Sequence, residues 1–204
     1  MATSDYLDPT FFIDSDSPII QQKAIDLQSQ SADAVDLSIS IFNFVRDTIK
    51  YKINMSYYAG PDDFKASATL KRKEGFCIPK SILLAALYRS CKIPSRLHFA
   101  DIINHRSPDY LVKLMGTNVF YFHGYAEVFL NDQWYKLTPS FETELCLKHD
   151  FPICTFNGSN DATFPSKDLQ DRPFIEYLKD RGVFADLPFS EMVTTFQGYY
   201  SGHF

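Results

Sequence analysis

Apolar residues in the first third of the chain recur at the spacing of an α-helix. Ser17 is a favourable cap and Pro18 suits a first turn, so the pattern predicts a helix beginning there. A second, longer helix is predicted over 33–50, where apolar positions keep the helical period. After a loop, a short helix over 66–73 is expected to end at Gly75, because glycine readily adopts the left-handed conformation that follows a helix.

The segment that follows Gly75 has no polar face. Residues 82–88 are apolar on every side of a helix, which predicts that this helix is buried in the middle of the molecule. Pro79 fits the first turn, where its missing N–H has no intrahelical partner to lose. Cys77 therefore lies just before a buried helix, which is predicted to end near Cys91.

Strand signals begin after this helix, with a predicted strand over 95–103. A hairpin is predicted for 123–130 and 133–139, joined by Asn131-Asp132, a pair that tolerates positive φ. A two-residue turn at Asn131-Asp132 sets residue 130 opposite residue 133, so that facing residues of the two strands have numbers that sum to 263. The facing pairs are then His123 and Ser140, Tyr125 and Thr138, Glu127 and Lys136, and Phe129 and Trp134. Across the strands, Glu127 and Lys136 are predicted to form an ion pair, and Phe129 and Trp134 an aromatic pair.

The remaining chain is predicted to hold a loop-rich stretch, a helix over 173–180 capped by Gly182, and a last helix that starts at Pro188. Helices followed by antiparallel strands are typical of an α+β fold. No repeat, linker or shift in composition divides the sequence, so we expect a single domain over 1–204.

Composition excludes several classes of protein. The chain has 45% hydrophobic and 22% charged residues with a net charge of −5, which is typical of a globular domain and argues against nucleic-acid binding. We expect no membrane span, no export signal, no cofactor and no metal site. Four cysteines without a CxxC pair favour a reducing, cytoplasmic setting.

Cys77 is the candidate nucleophile. The unpaired N–H groups and the positive dipole end of the buried helix are expected to favour its thiolate. Gly75, two residues earlier, would let the backbone approach a substrate closely. The other three cysteines lack this placement and are interpreted as core or surface thiols.

His123 is the candidate base, because a cysteine nucleophile needs a neutral imidazole within hydrogen-bond reach. It lies on a strand that follows the buried helix. Two histidines compete with it: His98 alternates with apolar neighbours, and His105 lies in a charged loop.

Three segments together resemble the transglutaminase-like superfamily. They are Gly-Phe-Cys77, the run Arg89-Ser-Cys-Lys-Ile-Pro-Ser-Arg96, and the run His123-Gly-Tyr-Ala-Glu-Val to Trp134-Tyr-Lys-Leu-Thr-Pro139. The likeness is close over about 74–140 and looser in the flanks, which include Phe-x-Phe-Val-Arg-Asp-x-Ile-x-Tyr from Phe42. It implies a papain-like α+β core in which a Cys-headed helix packs on an antiparallel sheet. It also implies a Cys–His–Asp triad, in which Cys77 matches the nucleophile and His123 the base.

The sequence departs from the family at the third member of that triad, where Thr138 stands in place of the aspartate. Ser140 lies directly across from His123 in the predicted hairpin. Either hydroxyl could accept a hydrogen bond from the imidazole and fix its tautomer, but neither can stabilise an imidazolium as a carboxylate does. Glu142 is either a further orienting group or a solvated carboxylate.

The resemblance implies cysteine-dependent acyl transfer or amide hydrolysis through a thioester. The substrate would be a peptide, a protein, or a small amide with an amine or water as acceptor. Two other functions stay open at this point: a decayed domain that only binds its ligand, and a redox-sensing thiol protein.

Overall fold

A computed structural model describes residues 3–200 of the chain. Its helices and strands follow one another in a mixed order. They are α1 (Pro18–Gln28), α2 (Ala34–Thr48), β1 (Lys50–Tyr51), α3 (Ala66–Arg72), β2 (Glu74–Gly75), α4 (Cys77–Ser90), β3 (Ser95–Asn104), α5 (Asp109–Met115), β4 (Val119–Leu130), β5 (Gln133–Leu137), α6 (Thr143–His149), β6 (Ile175–Phe184) and α7 (Phe189–Tyr199).

Helix α4 is the centre of the molecule, as its uniformly apolar sequence predicts. Residues 82–88 are completely buried. One side of α4 packs on β3 and β4, and the other side packs on α1, α2 and α3. The helix begins at Cys77 itself, with Phe76 in extended conformation before it. The predicted nucleophile is therefore the first helical residue.

The main sheet has the order β5-β4-β3-β6, and all neighbouring strands are antiparallel. The predicted hairpin is present: Asn131 and Asp132 both have positive φ, and the rings of Phe129 and Trp134 lie 5.3 Å apart across the strands. The ladder of β4 with β5 ends at Ala126 and Leu137. The two predicted pairs beyond it do not form, because the chain after β5 leaves β4.

The ion pair predicted between Glu127 and Lys136 is wrong, although the two residues face each other in the predicted register. The Glu127 carboxylate instead binds Arg96, whose Nε lies 2.6 Å away, and His98, whose Nδ1 also lies 2.6 Å away. Both partners lie on β3, the neighbour of β4 on its other side. The buried strand-to-strand network is preferred because it satisfies a carboxylate that is almost fully removed from water.

The helix predicted over 173–180 is also wrong. This segment is strand β6, which pairs with β3 along its whole length. Gly182 has φ 87° inside the strand, so it accommodates an irregularity of the sheet edge rather than a helix cap. Pairing with β3 gives the backbone of this segment the hydrogen bonds that a helix would have given it, and the local helical pattern is too weak to compete. The last predicted helix, after Pro188, is present as α7.

A small parallel pair, β1 with β2, holds the chain just before α4. Tyr51 is in register with Gly75, and Lys52 N–H donates to the Gly75 carbonyl. Gly75 is thus part of a strand and not the predicted end of α3. The left-handed residue after α3 is Lys73, with φ 59°.

Gly124 is where strand β4 comes closest to the start of α4. A Cβ at this position would lie 3.1 Å from the Cα of Ile78 and 3.2 Å from the Phe99 ring. We predict that Gly124→Val lowers the free energy of unfolding by about 1–3 kcal/mol, because backbone cannot yield as a flexible side chain can. Urea denaturation of the two proteins measures this. An unchanged midpoint would mean that the strand and the helix are not in this close contact.

Candidate active site

Cys77 lies at the buried end of α4, beside strand β4. Burial raises the pKa of its thiol to about 11, although the backbone amides of Gly124, Ile78 and Cys77 itself act in the opposite direction. The sequence predicted that the helix start would favour the thiolate. Desolvation is larger than that effect in this structure, because the sulfur is shielded from water. The resting form is a neutral thiol.

The Cys77 side chain lines a small cavity of about 30 Å³, which has room for about two water molecules. The wall is almost entirely apolar or aromatic. It consists of Tyr51, Ile53, Met55, Phe76, Cys77, Ile78, Met115, Phe120, Tyr121, Phe122, Phe196 and Tyr200.

Helix α7 and the residue after it cover this cavity. Met192, Phe196 and Tyr200 are buried and recur every four residues, so they form the inner face of the helix. The Tyr121 N–H donates to the Tyr200 hydroxyl at 2.8 Å, and the rings of Tyr121 and Tyr199 stack at 4.0 Å. Phe196 and Tyr200 thus form part of the cavity wall, and Cys77 is only 6% exposed.

Three phenol groups lie within electrostatic range of the sulfur. Burial raises the pKa values of Tyr51, Tyr58 and Tyr200, and a negative charge on Cys77 would raise each of them further. For Tyr58 the pKa is about 12. None of the three was a predicted site residue. The signal for Tyr51 was its place in the Phe-x-Phe-Val-Arg-Asp-x-Ile-x-Tyr motif.

His123 is buried on β4 among aromatic rings. Its ring centroid is 5.4 Å from that of Phe164 and 6.1 Å from that of Tyr125. Burial lowers the pKa of the imidazole to about 3, and its Nε2 has no hydrogen-bond partner among the described residues. The histidine is therefore neutral, which is the form that a general base requires.

Cys77 and His123 lie in adjacent cavities. The His123 cavity has a volume of about 10 Å³, enough for about one water molecule, and Tyr51 and Phe120 line both cavities. Gly124, whose amide lowers the pKa of the thiol, directly follows His123. Within residues 3–200 no hydrogen bond joins the sulfur to the imidazole. The two groups therefore line separate cavities that share Tyr51 and Phe120 as lining residues.

The candidates for the third position are separated by the fold. Thr138 and Ser140 are both buried, and neither hydroxyl has a hydrogen-bond partner in the described part of the chain. Ser140 lines the His123 cavity, whereas the Thr138 hydroxyl is next to the phenol of Tyr177. Burial raises the pKa of Tyr177 well above its ordinary value, and Thr138 only partly offsets this. Glu142 is neither solvated nor directed at the imidazole, because its carboxylate accepts the Tyr51 N–H at 3.0 Å.

The two competing histidines have other partners. The His98 ring contacts the carboxylates of Glu127 and Asp180, and His105 contacts Glu176. Neither histidine lines the cavity beside Cys77. His123 does not line that cavity either, but it is the only one of the three that lines the adjacent cavity.

Three further properties of the described residues concern the thiols, metal binding and membrane crossing. All four cysteines are unpaired, and burial raises the pKa of each thiol. Among residues 3–200 no cluster of three or more His, Cys, Asp or Glu side chains could hold a metal ion. No helix in that range combines the length and the apolar character needed to cross a bilayer.

The buried imidazole predicts a pH dependence of stability. Between about pH 6.5 and about pH 4 the unfolded chain takes up a proton on His123 that the folded chain, with a pKa of about 3, does not. Folding stability therefore falls as the pH falls, by about 1.4 kcal/mol per pH unit for this one group. We predict that His123→Gln removes this part of the slope in urea unfolding experiments. Identical slopes for both proteins would show that the imidazole is solvated and titrates normally.

The comparisons with known proteins agree with the fold. The family model of the transglutaminase-like superfamily matches residues 21–139. Among solved structures, a "putative cysteine protease" from Cytophaga hutchinsonii has a TM-score of 0.52 at 17% identity, covering 88% of this chain and 53% of its own. The periplasmic domain of TgpA from Pseudomonas aeruginosa has a TM-score of 0.44 at 18% identity, with coverage of 60% and 42%.

The chain spans about half the length of these two structures. At such low identity the first likeness shows a shared fold and nothing more. No curated protein matches the sequence. Because the family model covers more than half of its residues, the chain belongs to the transglutaminase-like superfamily, whose members are cysteine-dependent.

Proposed function

We propose that this protein is a cysteine-dependent acyl-transfer or amide-hydrolysing enzyme, in which Cys77 is the nucleophile and His123 the general base. One observation carries the proposal. The thiol at the start of α4 and a neutral, buried imidazole on β4 line adjacent cavities with a common wall at Tyr51 and Phe120. Nucleophilic catalysis by cysteine requires a thiol and a neutral imidazole, and the opening of the site must bring the two within hydrogen-bond reach.

The reaction begins when the sulfur of Cys77 attacks the carbonyl carbon of an amide while His123 accepts the thiol proton. The C–S bond forms and the carbonyl oxygen takes up the electron pair. The imidazolium then returns the proton to the departing amine as the C–N bond breaks, which leaves a thioester on Cys77. Water or an amine then attacks the thioester carbon while His123 accepts its proton. The C–S bond breaks, the acyl group leaves on the water or amine, and His123 returns the proton to the sulfur.

The pKa values of Cys77 and His123 indicate that the structure with α7 over the site is the resting state of the enzyme. With the thiol at about 11 and the imidazole at about 3, transfer of the proton ahead of attack would cost on the order of 10 kcal/mol. Movement of α7 would admit water or substrate. Either would stabilise the thiolate of Cys77 and the imidazolium of His123, and so bring the pKa values of the two groups closer together. Catalysis thus requires the cover to open.

A hydroxyl takes the place of the family's aspartate in this proposal. Thr138 is the residue that matches the aspartate in sequence, and Ser140 is the hydroxyl that lines the His123 cavity. A neutral orienting group fixes the tautomer of His123 without stabilising its charge, as the amide of a Cys–His–Asn triad does. The imidazolium is then short-lived, and proton transfer is coupled to attack.

We propose as substrates a peptide, a protein or a small amide, with water or a primary amine as the acyl acceptor. The nucleophile works only in its reduced form, so we propose the cytoplasm as its compartment.

Turnover tests the proposal directly. The protein is incubated with a glutamine-containing peptide and a primary amine, and mass spectrometry follows three products: the amine adduct, the deamidated peptide and the cleaved peptide. Any of them, formed by the wild type and not by Cys77→Ala, supports the proposal. If none forms and Cys77 also resists acylation by activated esters, the domain is a binding module without catalytic activity.

A further inference from the structure

Tyr51 is held next to the nucleophile by strand pairing. It is in register with Gly75, two residues before Cys77, and the backbone bonds of β1 with β2 flank it on both sides. Lys50 N–H donates to the Lys73 carbonyl at 2.9 Å, and Lys52 N–H donates to the Gly75 carbonyl at 3.1 Å. The position of Tyr51 along the chain is therefore tied to that of the sulfur.

Buried polar groups fix the backbone around Tyr51 from two further elements. The Glu142 carboxylate accepts the Tyr51 N–H. The ammonium of Lys80, which lies on α4 and is completely buried, donates to the Ile49 carbonyl at 2.5 Å and to the Arg46 carbonyl at 2.9 Å. The Tyr51 ring meets that of Phe141 edge-on, with centroids 4.8 Å apart. Such support is typical of a preorganised site.

The hydroxyl of Tyr51 differs from those of the other two phenols near the sulfur. The Tyr58 hydroxyl accepts a hydrogen bond from Arg72, and the Tyr200 hydroxyl accepts one from the backbone of Tyr121. The structure gives the Tyr51 hydroxyl no hydrogen bond to another described residue. Among residues 3–200, Tyr51 and Phe120 are the two that line both cavities, and the Phe120 side chain carries no polar group.

We infer that Tyr51 is a catalytic residue whose hydroxyl donates a hydrogen bond to the oxyanion formed when Cys77 attacks a carbonyl. The inference rests on the proposed function and adds a residue to it. Tyr51 gives up no proton in this role: the oxyanion forms and collapses while the phenol stays intact. Burial keeps the pKa of Tyr51 well above its ordinary value, so the donor is present throughout the working pH range. Loss of one oxyanion donor commonly lowers a rate about 100-fold.

Two reagents that both modify Cys77 separate this role from a structural one. Acylation by p-nitrophenyl acetate passes through an oxyanion, whereas alkylation by iodoacetamide displaces iodide and forms none. For Tyr51→Phe we expect acylation of Cys77 to slow by about 10- to 100-fold, with alkylation within about 2-fold of the wild type. Tyr57→Phe is the matched control, since Tyr57 lines neither cavity, and both of its rates should stay at the wild-type values.

The outcomes are distinguishable. Equal losses in both reactions would reduce Tyr51 to a structural residue and overturn the inference. Unchanged acylation would overturn it as well. A wild-type protein whose Cys77 is alkylated but never acylated would instead contradict the proposed function itself, and the role of Tyr51 would fail with it.

Discussion

His123→Gln is expected to slow acylation of Cys77 by p-nitrophenyl acetate by at least about 100-fold. Among the described residues that line the two cavities, His123 is the one whose side chain is neutral and able to accept the thiol proton. Glutamine keeps a polar side chain of similar reach but cannot serve as a base at neutral pH. The loss expected for a general base is about 100- to 10,000-fold. Release of p-nitrophenolate under single-turnover conditions measures the rate.

His105→Gln is the matched control, because His105 lies outside the cavities of Cys77 and His123 and contacts Glu176. Its acylation rate should equal that of the wild type. Circular dichroism and urea unfolding verify that both variants are folded. A His123→Gln protein that is folded and acylated at the wild-type rate would remove His123 from the mechanism, and another base would have to be found.

Phe196→Ala is expected to raise the rate of alkylation of Cys77 by iodoacetamide by at least about 10-fold. Phe196 is buried on the inner face of α7 and forms part of the wall of the Cys77 cavity. Its removal loosens the contact of α7 with the rest of the site at a cost of about 3–5 kcal/mol in local packing. The population of molecules with an open cover then increases, and the thiol becomes both accessible and easier to ionise.

The other buried cysteines report whether the opening is local. Neither Cys146, which lies on α6, nor Cys154, whose carbonyl accepts a hydrogen bond from Arg46, lines the Cys77 cavity. Their alkylation should therefore not accelerate. Gln197→Ala removes an exposed side chain next to Phe196 and should change none of the rates. Faster labelling of all three buried cysteines would indicate general unfolding, and unchanged labelling of Cys77 would show that α7 does not control access.

The parts of the fold that the sequence predicted are those with strong local signals. The α4 helix follows from a run with no polar face, and the hairpin register follows from a turn whose two residues both take positive φ. The aromatic pair of Phe129 with Trp134 needs nothing beyond that register. These features are determined by residues that are close together in sequence, so contacts with distant segments have little effect on them.

The errors arise where a third segment intervenes. Glu127 faces Lys136 as predicted but binds groups on β3, which lies far away in sequence. Strand β6 is extended because β3 offers it an edge, while its own sequence carries only a weak helical pattern. The candidate site also depends on segments that are distant in sequence. The proposed roles of α7 and Tyr51 rest on contacts between such segments, and the pKa of the Cys77 thiol depends on how completely those segments exclude water.

The central claim, that Cys77 is the nucleophile, is tested most directly by locating the acyl group. The protein is treated with a limiting amount of p-nitrophenyl acetate at neutral pH, quenched in acid and digested, and peptide mass spectrometry maps the acetyl group over all four cysteines and the lysines. Our account predicts a single hydroxylamine-sensitive acetyl group on the peptide that contains Cys77, absent in Cys77→Ala. Acetylation spread over surface lysines, with Cys77 unmodified, would contradict it.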